Sequence, residues 1–199
     1  MNQRSRHWSR LAIPALLTAP LLLAGCGSSA DSQSAAGMSM APGATMTPNG
    51  ATEAAATPPD TALMVCGEDI STQVVKVLKL GGPPKTDSDW TDSVYTCTYH
   101  LPMGDMVLSV QVAKDDASAG DVLVADRARR ARTQDLSGLG EQAFGTPAGV
   151  TVVLKDNEIL TVDATRLPAA FGDNDQHRTD LANEIASDVL GCWTGDGDE

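Results

Sequence analysis

The chain has 199 residues, 14 basic and 26 acidic side chains, and a formal charge of −12, a length that accommodates one modest core plus appendages. So acidic a surface repels nucleic acid and anionic headgroups, which excludes nucleic-acid binding as a function class. The surplus carboxylates are read as keeping an exported protein soluble.

Arg4, Arg6 and Arg10 precede an apolar run over residues 11–24, the charged-then-hydrophobic order of a secretory signal. A spanning helix needs about 20 apolar residues. This run has 14, is interrupted by Pro14 and Pro20, and ends at Gly25, Cys26 and Gly27, so it is expected to direct export and be removed. Removal of three arginines leaves 11 basic against 26 acidic residues, or about −15. No adjacent Arg-Arg pair marks a folded-protein export route, and Arg4-Ser5-Arg6 only approaches one.

The stretch Leu23-Ala24-Gly25-Cys26 resembles the lipobox of bacterial lipoproteins, whose small residues admit the backbone to the signal peptidase. The resemblance implies cleavage before Cys26, a diacylglycerol thioether on its sulfur, and localisation on the extracytoplasmic face of the cell membrane. Two acyl chains, at about 0.8 kcal/mol per buried CH₂, suffice for stable anchoring. The expected organisation is a signal peptide over 1–25, the lipidated cysteine and a disordered stalk over 26–60, an extracytoplasmic domain over 61–195, and a flexible tail over 196–199.

The stalk is Ser, Ala, Gly, Thr and Pro with few large apolar residues, too little to offset the entropy of ordering. As a flexible tether of about 34 residues it would reach roughly 30 Å. Met38, Met40 and Met46 in the stalk, with Met64, Met103 and Met106 beyond and His100 close by, raise copper handling as an alternative function, because thioethers suit Cu(I). Three spaced methionines with no stalk histidine bind weakly unless preorganised, and Met106 falls where a core strand residue is wanted.

In the domain, Ile70, Val74, Val77 and Leu78 recur at helical spacing across 68–80 until Gly81-Gly82-Pro83-Pro84. Residues 94–101 alternate, with Tyr95, Cys97, Tyr99 and Leu101 on one side. Met106, Leu108, Val110 and Val112 alternate beyond residues 102–105, which predicts a hairpin. A third segment, 117–134, reads as a solvated helix lying lightly on the sheet. Its Arg127, Arg129, Arg130 and Arg132 are balanced by neighbours such as Asp121 and Asp126 rather than arranged for phosphate. The glycine-rich link over 136–140 leads to Glu141-Gln142-Ala143-Phe144 and is neither a Walker nor a dinucleotide loop. Strands over 150–155 and 158–163 flank an Asp156-Asn157 turn, and a last helix carries Leu181, Ile185 and Val189. The expected fold is α+β: an antiparallel sheet of about four strands with helices packed on one face, in the order helix-strand-strand-helix-strand-strand-helix.

Apart from Cys26, cysteines stand at 66, 97 and 192. Outside the cytosol they tend to pair, with three connectivities open. Cys97 shares the side of Tyr95 and Tyr99 that faces the helices, and Cys66 opens a helix that packs there, which favours Cys66 with Cys97. Cys66 with Cys192 is the close alternative. The third thiol reads as a small hydrophobe beside Trp193.

Cys66 before a helix, Tyr95-Thr96-Cys97-Thr98-Tyr99 in a hairpin, the 136–140 link before Ala143-Phe144, and two final strands resemble small actinobacterial secreted lipoproteins of uncharacterised function. These are similar in layout to the extracellular sensor domain of a mycobacterial serine/threonine kinase. The resemblance spans roughly 64–193 and implies a disulfide-stabilised binding or sensing module without catalytic residues or cofactor.

No Gly-x-Ser-x-Gly or His-Glu-x-x-His occurs, and His100 and His177 read as solvated. Asp173, Asn174 and Asp175 and the tail from Asp196 lack a calcium loop, and a helix cap accounts for the first group. The expected function is therefore non-enzymatic: a membrane-anchored module that binds a protein or small-molecule ligand in the envelope.

Overall fold

Apolar side chains on alternate residues build the centre of the domain. The computed structural model describes residues 57–171 and 175–194; the expected signal peptide, Cys26, the stalk as far as residue 56 with its three methionines, Asp173, Asn174 and the 196–199 tail lie outside them. The expected first hairpin forms from β2 (Val94–Leu101) and β3 (Gly104–Val112). The expected second forms from β6 (Val150–Lys155) and β7 (Glu158–Asp163). They join along β3 and β7, from Val107 opposite Asp163 to Val112 opposite Glu158.

The α+β class holds, but the sheet has seven antiparallel strands rather than about four, in the order β1-β2-β3-β7-β6-β5-β4. The added strands are β1 (Lys85–Thr91), β4 (Gln134–Asp135) and β5 (Gln142–Thr146). β1 is an edge strand exposed almost throughout, so no buried face imposes an apolar alternation on its sequence. Its turn into β2 places both Asp92 and Ser93 at positive φ, 52° and 61°. This is the backbone of a type I′ hairpin turn without the Asn-Gly pair that usually marks one. β8 (Ala170–Phe171) and β9 (Gln176–His177) make a separate short pair.

The helix order also differs. Among the described residues α1 (Asp60–Met64) precedes α2 (Glu68–Leu78), α3 (Asp116–Arg129) lies between β3 and β4, and α4 (Arg178–Trp193) ends the domain. Five residues are too few for α1 to show a helical period. The helices do not share one face. Ala62 of α1, Ile70 and Val74 of α2, and Leu181, Ile185 and Val189 of α4 join the main core with Tyr95, Tyr99, Met106, Leu108, Val153 and Leu160. Ala119 and Leu123 of α3 meet Phe144, Val150, Val152, Leu154 and Ile159. Because neighbours along a strand point to opposite faces, Val152 and Val153 belong to different cores, and α3 lies on the side opposite the other helices. Runs such as Val150 to Leu154, buried at every position, carry that two-sided covering in the sequence.

Cys66 and Cys97 form a disulfide, with Cα atoms 5.5 Å apart. The favoured pairing is thus the one present, and it ties the segment between α1 and α2 to β2. Beside it the buried Tyr99 hydroxyl donates to Val65 O at 2.6 Å. The loop closed by the bond has a sequence separation of 31. The chain-entropy relation accordingly predicts that the C66A/C97A double variant loses about 3 to 4 kcal/mol of unfolding free energy, measurable by urea denaturation of the oxidised and variant chains.

Candidate functional site

The glycine-rich link finds its role in a cleft. Gly140 adopts φ 54°, and a Cβ there would stand 2.5 Å from Leu154 O and 2.6 Å from Val153 Cγ1. A residue without a side chain can therefore bring the link down on β6, where Glu141 N donates to Leu154 O at 2.9 Å. The opposite wall is the last turns of α4, contributing Ser187, Leu190 and Gly191. The cleft is open to solvent and has a volume of about 450 Å³, within the range of small-ligand sites. Leu139 and Leu190 supply apolar surface, and Glu141 and Lys155 supply charge. Lys155 Nζ donates to Asp156 Oδ2 at 2.8 Å, a hydrogen bond that raises its pKa above the ordinary lysine value. An ammonium has three donors. Glu141 accepts from Asp156 N through Oε1 at 3.0 Å, which holds both charged groups at the mouth of one turn.

The start of the domain is fastened nearby. Thr61 of α1 donates through Oγ1 to Glu158 Oε1 at 2.5 Å, while its carbonyl accepts from Trp193 Nε1 at 2.9 Å. Together these contacts join α1 to β7 and to the end of α4. Glu158 is only 8% exposed. Burial raises its pKa, opposed by the Thr61 hydrogen bond. Burial likewise raises Asp188 of α4, reinforced by Glu184 and opposed by Lys76.

The remaining expected residues are dispersed. Met106 is fully buried and Met103 packs partly buried against the main core, whereas both ring nitrogens of His100 meet carboxylates: Nε2 lies 2.8 Å from Asp87 and Nδ1 2.9 Å from Asp105. His100, Met103 and Met106 are therefore not gathered as ligands, and among the described residues no group of three or more His, Cys, Asp or Glu side chains is placed to hold a metal ion. The arginines of α3 are balanced as expected by Asp126, which receives Arg129 and Arg130, and also by Asp135, which receives Arg127. Arg127 additionally lies over the Phe144 ring, 5.5 Å from its centre. The N-cap of α4 is His177, without a side-chain cap hydrogen bond, so Asp175 does not fill the capping role expected of it. Cys192 stands outside the disulfide, partly buried near the end of α4.

Sequence reasoning missed Glu158 and the Asp87–His100–Asp105 cluster. Asp105 had a signal: a hairpin closed by Leu101 opposite Gly104 puts His100 directly opposite Asp105. Asp87 had none, because β1 carries no alternation. No protein-family model matches the chain, and the searches of curated proteins and of solved structures likewise found no match.

A group whose folded pKa is raised stabilises fully below its unfolded pKa, and that contribution is lost as pH rises through the folded value. Glu158→Gln keeps an oxygen for Thr61 but cannot ionise. As pH rises above the ordinary glutamate value of 4.5 and through the raised folded one, its urea midpoint is expected to gain progressively on that of the wild type.

Proposed function

We propose that this chain is a lipid-anchored extracytoplasmic module that binds a ligand without transforming it. The supporting sequence feature is Leu23-Ala24-Gly25-Cys26 behind a basic and apolar leader. The observation that carries the binding reading is the cleft between the 138–141 link and the end of α4. It combines apolar Leu139 and Leu190 with one amine and one carboxylate, and contains neither histidine nor cysteine in its lining. Apolar surface with a few placed polar groups is the make-up of a site that orients a small molecule. A disulfide at the start of the domain accords with an oxidising compartment. No helix among the described residues is long and apolar enough to cross a membrane.

Two measurements test the two halves separately. Mass spectrometry of the full chain from producing cells should show an acylated cysteine as the first residue. Cys26→Ser should abolish the acyl mass and move the chain out of the membrane fraction; an unmodified wild-type chain refutes the anchor. For the cleft, a Cβ at Gly191 meets nothing within 4 Å, so a side chain can begin there without a clash. Gly191→Trp should occlude the cleft, with an unchanged urea midpoint as the check that the fold is kept. Native mass spectrometry is then expected to find a bound small molecule on the wild type and at least about a tenfold lower occupancy on the variant, corresponding to a loss of 1.4 kcal/mol or more. A wild type that carries nothing, or equal occupancy on both, overturns the cleft.

A further inference from the structure

The outer face of β1–β3 holds a cluster with no part in the cleft. His100 on β2 lies between Asp87 of edge strand β1 and Asp105 of β3. Lys85 faces His100 in register from β1, Arg166 Nη1 reaches Asp105 Oδ2 at 3.5 Å from the segment after β7, and the adjoining 80–84 segment is uncharged. β1 has one sheet neighbour, β2, so the contact through Asp87 links the edge strand across β2 to β3.

A neutral imidazole has one N–H and one lone pair, whereas imidazolium has two N–H donors. Both ring nitrogens here face carboxylate oxygens at hydrogen-bonding distance, an arrangement that only the imidazolium satisfies at both ends. Loss of a proton sets a ring lone pair against one carboxylate. Asp105 is 34% exposed and is also held by Arg166; Asp87 is 84% exposed, and among the described residues its ion pair is with His100. Asp87 is thus the partner that can leave at least cost.

We propose that His100 is a proton-operated clasp: as imidazolium it fastens β1 to the sheet through Asp87 and Asp105 together, and on deprotonation it releases Asp87 and loosens the edge strand. The hydrogen bonds to Asp87 and then Asp105 raise its pKa above the ordinary 6.5, so the clasp is closed below 6.5 and opens as pH rises through the higher folded value. The device stands independently of any ligand in the cleft.

Hydrogen exchange of the full chain, followed by mass spectrometry at about pH 6 and about pH 9 and corrected for the intrinsic pH dependence of exchange, tests it. Peptides covering 85–91 should exchange several-fold faster at the higher pH in the wild type, relative to peptides of β6 and β7. In His100→Gln the acceleration should vanish, with β1 exchanging fast at both pH values. The His100 ring titration, followed by proton NMR, should have its midpoint above 6.5 in the wild type and lower in Asp87→Asn. Equal acceleration in wild type and His100→Gln, no acceleration in the wild type, or an unchanged midpoint in Asp87→Asn would each overturn the clasp.

Discussion

The pairing of β3 with β7 is the constraint on which the rest depends. Each flanking hairpin is local, but their junction brings Val107 against Asp163 and Leu108 against Val162, contacts closed over some fifty residues of intervening chain, whose closure entropy must be offset by burial. That register also decides which side of every strand faces which helix, because a shift of one residue would exchange the two faces. With the observed pairing, Leu108, Leu160 and Val162 enter the main core, and Ile159 joins Val152 and Leu154 beneath α3. Glu158 consequently points toward Thr61, and Thr151 toward Asn183 Oδ1, to which its hydroxyl donates at 2.6 Å.

The same register explains why one covalent bond is spent where it is. α1 is five residues long and has no side-chain cap hydrogen bond, so its own helical hydrogen bonds cannot hold it. It is kept in place by buried Ala62 and Val65, by the contacts of Thr61, and by the cysteine that follows. The bond joins this short element to β2 at Cys97, beside the Tyr99 hydroxyl, whose burial raises its pKa and keeps it a donor. Hydrogen bonds at these positions each contribute on the order of 1 kcal/mol; the disulfide contributes more because it restricts the unfolded chain.

Legibility in the sequence followed burial. The hairpin 94–112 and the last helix were readable because a covered face imposes apolar alternation or helical spacing, and the hairpin 150–163 because strands covered on both faces read as near-continuous apolar runs. β1 was invisible for the opposite reason: Lys85, Thr86, Asp87, Ser88 and Asp89 are all exposed, and only the partner strand makes them a strand. α3 showed its arginines but not its side of the sheet, which depends on Phe144 and Ile159 meeting Ala119 and Leu123 across distant sequence. Of the cleft, the glycines were visible but their purpose was not. A close approach of Gly140 to Leu154 O is a tertiary fact.

The titratable groups also combine in one direction. Glu158 and Asp188 are raised by burial, and His100 is raised by its carboxylates; each therefore contributes stability at the acidic end of its own range and loses it on the alkaline side. Asp115 opposes them: hydrogen bonds from Ser118 at the N-cap of α3 lower its pKa, so its contribution is present above the ordinary aspartate value and fails as pH falls through the lowered one. A chain with 26 acidic residues gains further from partial neutralisation of its carboxylates, since self-repulsion of the compact state falls with them. The share of stability that these groups supply accordingly declines on the alkaline side, with the opening of His100 and the ionisation of Glu158 and Asp188, and on the acid side with the loss of the Asp115 cap.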